Sequence, residues 1–375
     1  MKQTWDISGK EESAGTDEFG FTSSVLTGGK SAGVQMVQLR CGDMRVLVLP
    51  TRGMSIYQVQ FADGKGTYGW NSPIPDPVHP MWVPIAEPSG LGWLDGFNEM
   101  LVRCGLESNG APQHDQQGQL QYPLHGRIGN LPASGCSVEM DDDAGEIRLT
   151  GIVEESRFHF RRTWLTTTMT LHSSSPNQVQ IRDEVENKSN RPSDFQLLYH
   201  INIGQPILEA GAEFVAPYSM VCPRNEHAAS GMEKWTEYLE SDPKFQEQVY
   251  FMKLAGDSDN RTKALLHNAN KSMGFSVGFQ TDQLPFFSLW KNTVGKNDGY
   301  VTGLEPAVNF PNRRSYEEKH GRVVPLASAE SKTFDLTLGF QRSESAVNSV
   351  LEEIENLTPN SPTIHESPVD EFCEP

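Results

Sequence analysis

The chain lacks most of the features that announce a function. Its 375 residues contain no C-x-x-C pair and no zinc-like spacing; the five cysteines stand alone at 41, 104, 136, 222 and 373. An odd number without pattern argues against a disulfide framework and reads as thiols in a reducing compartment. No G-x-G-x-x-G follows a strand-like run, and P-loop, G-x-S-x-G and H-E-x-x-H signatures are missing, so nucleotide cofactors and zinc-peptidase chemistry find no support. The first ten residues carry no apolar core of a signal peptide, and no apolar run approaches the roughly 20 residues of a spanning helix. Positive charge is scarce: the net charge is −18, which repels nucleic-acid phosphates and anionic membrane surfaces and leaves a neutral small molecule indifferent. These absences predict a cytoplasmic protein acting on a small molecule, without nucleic acid, membrane or cofactor as partner. They leave the oligomeric state open, a homo-oligomer included.

What is present is turn-rich. With 33 Gly and 24 Pro, the chain suits an all-β protein better than a helical bundle. Residues 1–20 are polar and read as a flexible arm. Strand-like runs follow at Val34–Leu39, Met44–Leu49 and Ile56–Phe61, the last closed by Asp63-Gly64. A Pro-, Gly- and Trp-rich stretch over 65–97 has little periodicity, and a long irregular segment of this kind suits the wall of a site. An antiparallel meander continues through Cys136–Met140, Glu146–Glu154, Phe158–Thr170 and Gln178–Glu186 to Phe195–Ile203. Residues 226–246 suit a helix or a lid. Val347, Val350, Leu351, Ile354 and Leu357 fall at helical spacing, which predicts an amphipathic helix over 343–358, and Pro359 stops it. The acidic, Pro-rich residues 359–375 read as disordered. One large β domain over 21–342 remains.

Within it three segments carry chemistry. The run Tyr300–Leu304 ends in Glu305-Pro306, and because proline has no N–H the strand is expected to stop there, leaving a carboxylate where strand meets loop. Leu198-Tyr-His-Ile-Asn-Ile-Gly204 and Tyr122-Pro-Leu-His-Gly-Arg-Ile-Gly-Asn130 each set a histidine, His200 and His125, among hydrophobic residues. One carboxylate and two imidazoles can move protons near neutral pH without a metal. Arg127 and Arg103 offer forked donors for hydroxyls or carboxylates, Asn109 and Asn202 offer amides, and Trp93 and Trp290 offer faces for a sugar ring. Each of these also has an ordinary structural use, as salt bridge, turn cap or core.

The order of these motifs resembles the aldose 1-epimerase (galactose mutarotase) family: Leu124-His-Gly126, Tyr199-His-Ile-Asn202 and Gly303-Leu-Glu-Pro306. It is closer still to the DUF4432 family, which is similar in Arg52-Gly-Met54, Gly92-Trp93, Cys104-Gly-Leu106 and His125-Gly-Arg127 as well. The resemblance implies a galactose mutarotase-like β-supersandwich of large antiparallel sheets with few helices. It also implies a reaction, ring opening and reclosure of a sugar hemiacetal, with Glu305 as base, His200 as acid and His125 near the ring oxygen or a hydroxyl. The His-to-Asn spacing is tighter here than in mutarotases, and their further substrate-binding Asp has no clear counterpart. Two other enzymatic or non-enzymatic uses of the same residues follow: proton transfer in an epimerase or lyase acting on a modified sugar, and carbohydrate binding without turnover. A metal site of His125, His200, Glu305 and His114 is the remaining alternative.

Overall fold

The computed structural model describes residues 2–62, 64 and 67–375. Two large sheets face each other. The first has nine strands in the order Lys2–Asp6, Ala133–Asp141, Glu146–Arg157, Arg161–His172, Gln178–Asn187, Ser331–Gln341, Gly274–Gln280, Arg261–His267 and Glu213–Val215. The second, of 14 strands, contains the six that matter here: β1 (Leu101–Leu106), β2 (Ser193–Ile203), β3 (Tyr218–Pro223), β4 (Gln248–Leu254), β5 (Phe286–Asn292) and β6 (Val301–Ala307). They lie side by side as β1-β2-β6-β5-β4-β3, all antiparallel. Among the described residues only three short or medium α-helices interrupt this β architecture.

The period of two explains how one sheet serves two purposes. In β2, Phe195, Leu197, Tyr199, Ile201 and Ile203 point into the apolar core between the sheets, where they meet Leu149, Leu165, Met169 and Ile181 of the first sheet. The alternate residues Leu198, His200 and Asn202 point outward. That outer face is not left to water. Trp70, Trp93 and Phe97, from the irregular stretch, pack over Val102, Cys104, Leu198 and Ala307. With both faces covered, β2 and β6 are buried almost throughout, their polar residues included.

Several sequence expectations are corrected here. The supposed arm 1–20 forms strand Lys2–Asp6, paired with Ala133–Asp141, and strand Glu12–Gly15, paired with Phe19–Val25. Polar composition suits edge strands of this kind, which bury little. The acidic end is ordered too: Thr363–Ile364 runs parallel to β3, and Phe372 and Cys373 are buried against Cys222, Phe251 and Phe310. Two apolar residues anchor a segment whose average composition suggested disorder. Residues 226–246 hold only a four-residue helix, Glu226–Ala229, and a 3-10 turn, Met232–Lys234. The run from Phe158 contains a hairpin tip, with Phe158 and Phe160 in solvent between two 12-residue strands. The helix is observed at Glu344–Leu357, capped by the Ser343 side chain, with Val347, Val350 and Ile354 packed on Leu265. Asp63 of the expected Asp63-Gly64 turn lies outside the described residues.

Candidate active site

Strand β6 does not stop before Pro306. It runs from Val301 to Ala307, with Glu305 opposite Ser288 and Pro306 opposite Phe287 of β5. The missing N–H is felt on the other side. Toward β2, the register pairs Leu198 with Ala307 and Ile201–Ile203 with Leu304–Thr302, and skips the two positions between. At that gap His200 faces Glu305 across the strands, with Nε2 3.3 Å from Oε1. Both side chains are almost fully buried, at 4% and 3% residue exposure.

A chain of hydrogen bonds sets the imidazole. Arg52 is buried in an ion pair with Glu99 at 2.7 Å and also donates to the Gly96 carbonyl and the Asn130 side chain. This holds the loop so that the Glu99 carbonyl accepts the Asn202 amide N–H at 2.9 Å and the Trp70 indole N–H at 3.1 Å. The Asn202 amide thus turns its oxygen toward His200, 2.7 Å from Nδ1. Nδ1 must carry the hydrogen to donate to that oxygen, so Nε2 presents its lone pair to Glu305. The Arg52-Gly-Met motif has a backbone reason as well: Gly53 is left-handed, and a Cβ there would meet the Ile128 carbonyl at 2.4 Å.

His125 arrives from the loop side. It sits at φ 58° with Gly126 at φ 69°, two successive left-handed residues. Its backbone N–H bonds the Gly110 carbonyl and its own carbonyl accepts from Gly105, so the turn is pinned from both sides. The ring's Nδ1 donates to the Asn109 carbonyl at 2.9 Å. Its centroid lies 5.3 Å from that of His200 and 4.6 Å from that of Trp93. Phe97 and Trp290 complete an aromatic wall around His200, at centroid distances of 5.2 and 5.4 Å. Gly303 opens the floor: a Cβ there would come within 2.6 Å of Glu305 Oε1, 3.2 Å of His200 and 3.3 Å of Trp290.

The electrostatics follow from burial. Glu305 is raised to about 8, chiefly because its carboxylate would lose water, and secondarily by the nearby Glu247; the Arg224 charge opposes this. Loss of water pushes His200 well below the usual histidine range, reinforced by the His125 charge and opposed by the Asn202 hydrogen bond. His125 falls to about 4 for the same first reason. Burial thus favours the neutral pair, a protonated carboxyl beside a neutral imidazole, over the ion pair.

Of the residues singled out from sequence, Glu305, His200, His125, Asn202, Trp93 and Trp290 converge. Asn109 stands behind them: its side chain exchanges hydrogen bonds with Asn309 at 2.9 and 3.0 Å, and only its carbonyl reaches His125. Two residues lie apart from this cluster. Arg103 points the other way, into the space between the sheets, where it bonds Asp183 and the Met54 carbonyl and is fully buried. Its strand parity, opposite Tyr199 and not His200, dictates this. Arg127 is held near Glu107 and Glu155, at 3.6 and 3.9 Å, with no contact to the histidines. His114 bonds the Pro88 carbonyl, and among the described residues no group of three His, Cys, Asp or Glu is placed to hold a metal ion. Sequence reading missed Arg224 and Glu247 at the rim, and Phe97 and Trp70 in the wall. For Arg224 a signal existed: Met220, Cys222 and Arg224 alternate along and just past β3, so all three share the outer face.

The model of a domain of unknown function, DUF4432, matches residues 31–340. A candidate aldose 1-epimerase from Klebsiella pneumoniae shares 34% identity over 98% of this chain and 99% of its own, with a TM-score of 0.93. A galactose mutarotase-like protein from Clostridium acetobutylicum is 11% identical, over 87% of this chain and 100% of its own, with a TM-score of 0.61. Galactose 1-epimerase from Lactobacillus acidophilus is 13% identical, over 86% and 99%, with a TM-score of 0.55; these last two show the fold alone. No curated protein matches the sequence. No helix among the described residues is long and apolar enough to cross a membrane. With a galactose mutarotase-like fold and a family match spanning most of its length, this chain belongs to the DUF4432 family.

Proposed function

We propose that the protein is a sugar isomerase of the aldose 1-epimerase type, opening and reclosing a hemiacetal by acid–base catalysis. The observation that carries this reading is the direct Glu305–His200 contact at 3.3 Å, with His200 Nδ1 bonded to Asn202 so that Nε2 faces the carboxyl. A hemiacetal carbon bears two oxygens, the ring oxygen and the C1 hydroxyl. An acid and a base side by side suit both at once: Glu305 gives its proton to the ring oxygen while His200 Nε2 takes the hydroxyl proton, the C1–ring-oxygen bond breaks, and an open aldehyde forms. The dyad then holds the proton on His200. After rotation of the aldehyde, the reverse transfer closes either anomer and restores the resting state. The family resemblance implies the opposite starting order, with Glu305 as base; that is the same pair entered from its ion-pair form, which burial disfavours here. His125, with a bare Nε2 beside Trp93, serves as a hydroxyl acceptor, and Trp290 as a stacking face. No step needs a metal or redox group.

Anomer exchange followed by NMR saturation transfer over a panel of free sugars tests the reading. Wild-type protein should exceed the uncatalysed rate on at least one sugar, and Glu305→Gln and His200→Asn should each lose that rate while keeping the fold. Wild-type-like rates in both variants would sink the assignment. Binding without exchange would instead favour a carbohydrate-binding protein.

A further inference from the structure

The floor of the site is ruled in rows that cross the strands. One row carries His200, Glu305 and Ser288, with Phe251 and Cys222 beyond. The neighbouring row runs Asn202, Gly303, Trp290 and Val249. Its register continues one strand further to Arg224, whose backbone N–H bonds the Val249 carbonyl at 2.9 Å. Along this second row lie Gly303, whose missing side chain leaves room for Glu305 and His200, a half-buried indole, a small aliphatic residue and a guanidinium.

Arg224 differs from the other arginines that are withdrawn from water. Arg52, Arg103, Arg314 and Arg322 are each paired with a carboxylate, Glu99, Asp183, Asp194 and Glu317. Arg224 is half-buried, yet its side chain has no ion pair and no hydrogen bond among the described residues, in a chain where 49 acidic residues outnumber 31 lysines and arginines. A carboxylate is near. Glu247 lies on the same rim, where its Oε2 accepts the Trp290 indole N–H at 2.7 Å and no ion pair with Arg224 is formed. The positive charge of Arg224 is felt at both His125 and Glu305, so it belongs to this site and not to a distant surface.

The geometry points to a sugar that carries an anionic group, a carboxylate or a phosphate, bound with that group at Arg224 and its anomeric carbon over Gly303. This rests on the isomerase reading for the identity of the ligand as a sugar. Reach supports it. Three strand spacings of about 4.8 Å separate Gly303 from Arg224, roughly 14 Å in all. That span is one that a long, forked side chain and a ligand of sugar size can share. Forked N–H donors match either anion. The indole in between would lie under the ring.

The test compares neutral and anionic sugars of the same stereochemistry at fixed ionic strength: glucose and galactose, their uronates, and their 6-phosphates. Anomer exchange is measured with wild-type protein and with Arg224→Gln. The expected result is a kcat/KM at least tenfold higher for one anionic series than for its neutral parent, with that ratio collapsing toward one in Arg224→Gln, mostly through KM. The series that wins identifies carboxylate or phosphate, and Arg224→Lys should keep part of the preference. A wild-type ratio near one, or a ratio unchanged by Arg224→Gln, overturns the assignment. Should no sugar exchange, ligand-observed NMR binding with the same panel decides. Charge-selective binding lost in Arg224→Gln upholds the anionic ligand while the isomerase reading falls. Binding without charge preference, or none at all, overturns it.

Discussion

Arg103 and His200 stand on adjacent strands of one sheet, equally withdrawn from water, on opposite faces. The inner cluster is saturated. Arg103 donates twice to Asp183 and once to the Met54 carbonyl, and Asp183 also accepts the Thr167 hydroxyl at 2.7 Å and the Tyr199 hydroxyl at 2.9 Å. The outer cluster is starved. Among the described residues Glu305 makes one polar side-chain contact, to His200 at 3.3 Å, and the hydroxyl of Ser288, its cross-strand neighbour, is buried without a hydrogen-bond partner. Burial of charge is therefore not what marks a site. A carboxylate that is fully hydrogen-bonded is structure; one that is buried and left short has its proton affinity displaced toward working pH and is free to react.

The largest effect expected from breaking this contrast is on turnover. Glu305→Gln should lower kcat/KM by about 10³-fold, within the range general acid–base groups supply, and should not lower the melting temperature, since a neutral amide replaces a neutral carboxyl. Arg103→Met should do the reverse. It strands Asp183 in the core and should cost about 3–5 kcal/mol of stability, read by denaturant unfolding, with the rate per folded molecule nearly retained. If Arg103→Met unfolds no more easily than wild type, or Glu305→Gln is the more unstable of the two, the contrast between the faces is wrong. Asn202→Ala should come next, at about tenfold or more in rate and about 1 kcal/mol in stability, because it frees the imidazole to choose the other tautomer.

The last effect is on the pH dependence of stability. Glu305 titrates at about 8 in the folded chain and near 4.5 when unfolded, so the folded state holds an extra proton between those values. Its contribution is full below pH 4.5 and is lost as pH rises through 8; Glu305→Gln should flatten that decline. His125 acts in the opposite sense. At about 4 folded against 6.5 unfolded, it is bound to fewer protons when folded, and stability is lost as pH falls from 6.5 toward 4. Melting temperatures of wild type, Glu305→Gln and His125→Asn across pH 4–9 separate the two limbs.

The sequence showed which residues would meet and was weaker on which way they would point. Glu305, His200 and His125 were legible because each is a polar residue in an apolar run beside a Gly, Asn or Pro. The β architecture was legible in turn-rich composition and alternation. Arg103 was misplaced because β1 is buried on both faces, and a strand without apolar–polar alternation does not reveal its parity. The ordered tail was hidden by composition, since Phe372 and Cys373 are two residues in an acidic stretch. For Arg224 alternation gave the face but not the neighbourhood: nothing local shows that its strand lies three places from Gly303, an adjacency made by non-local pairing.

The aromatic wall has an optical consequence. Trp93 stacks edge-on to His125 at 4.6 Å, and Trp290 lies 5.4 Å from His200. Indole emission is quenched by a neighbouring imidazolium and shifts when water leaves a half-exposed ring. Excited at the red edge of tryptophan absorption, the protein should brighten as His125 sheds its proton and change colour as ligand covers Trp290. The site thus carries its own fluorophores, and occupancy can be followed by light on unlabelled protein before any substrate is known.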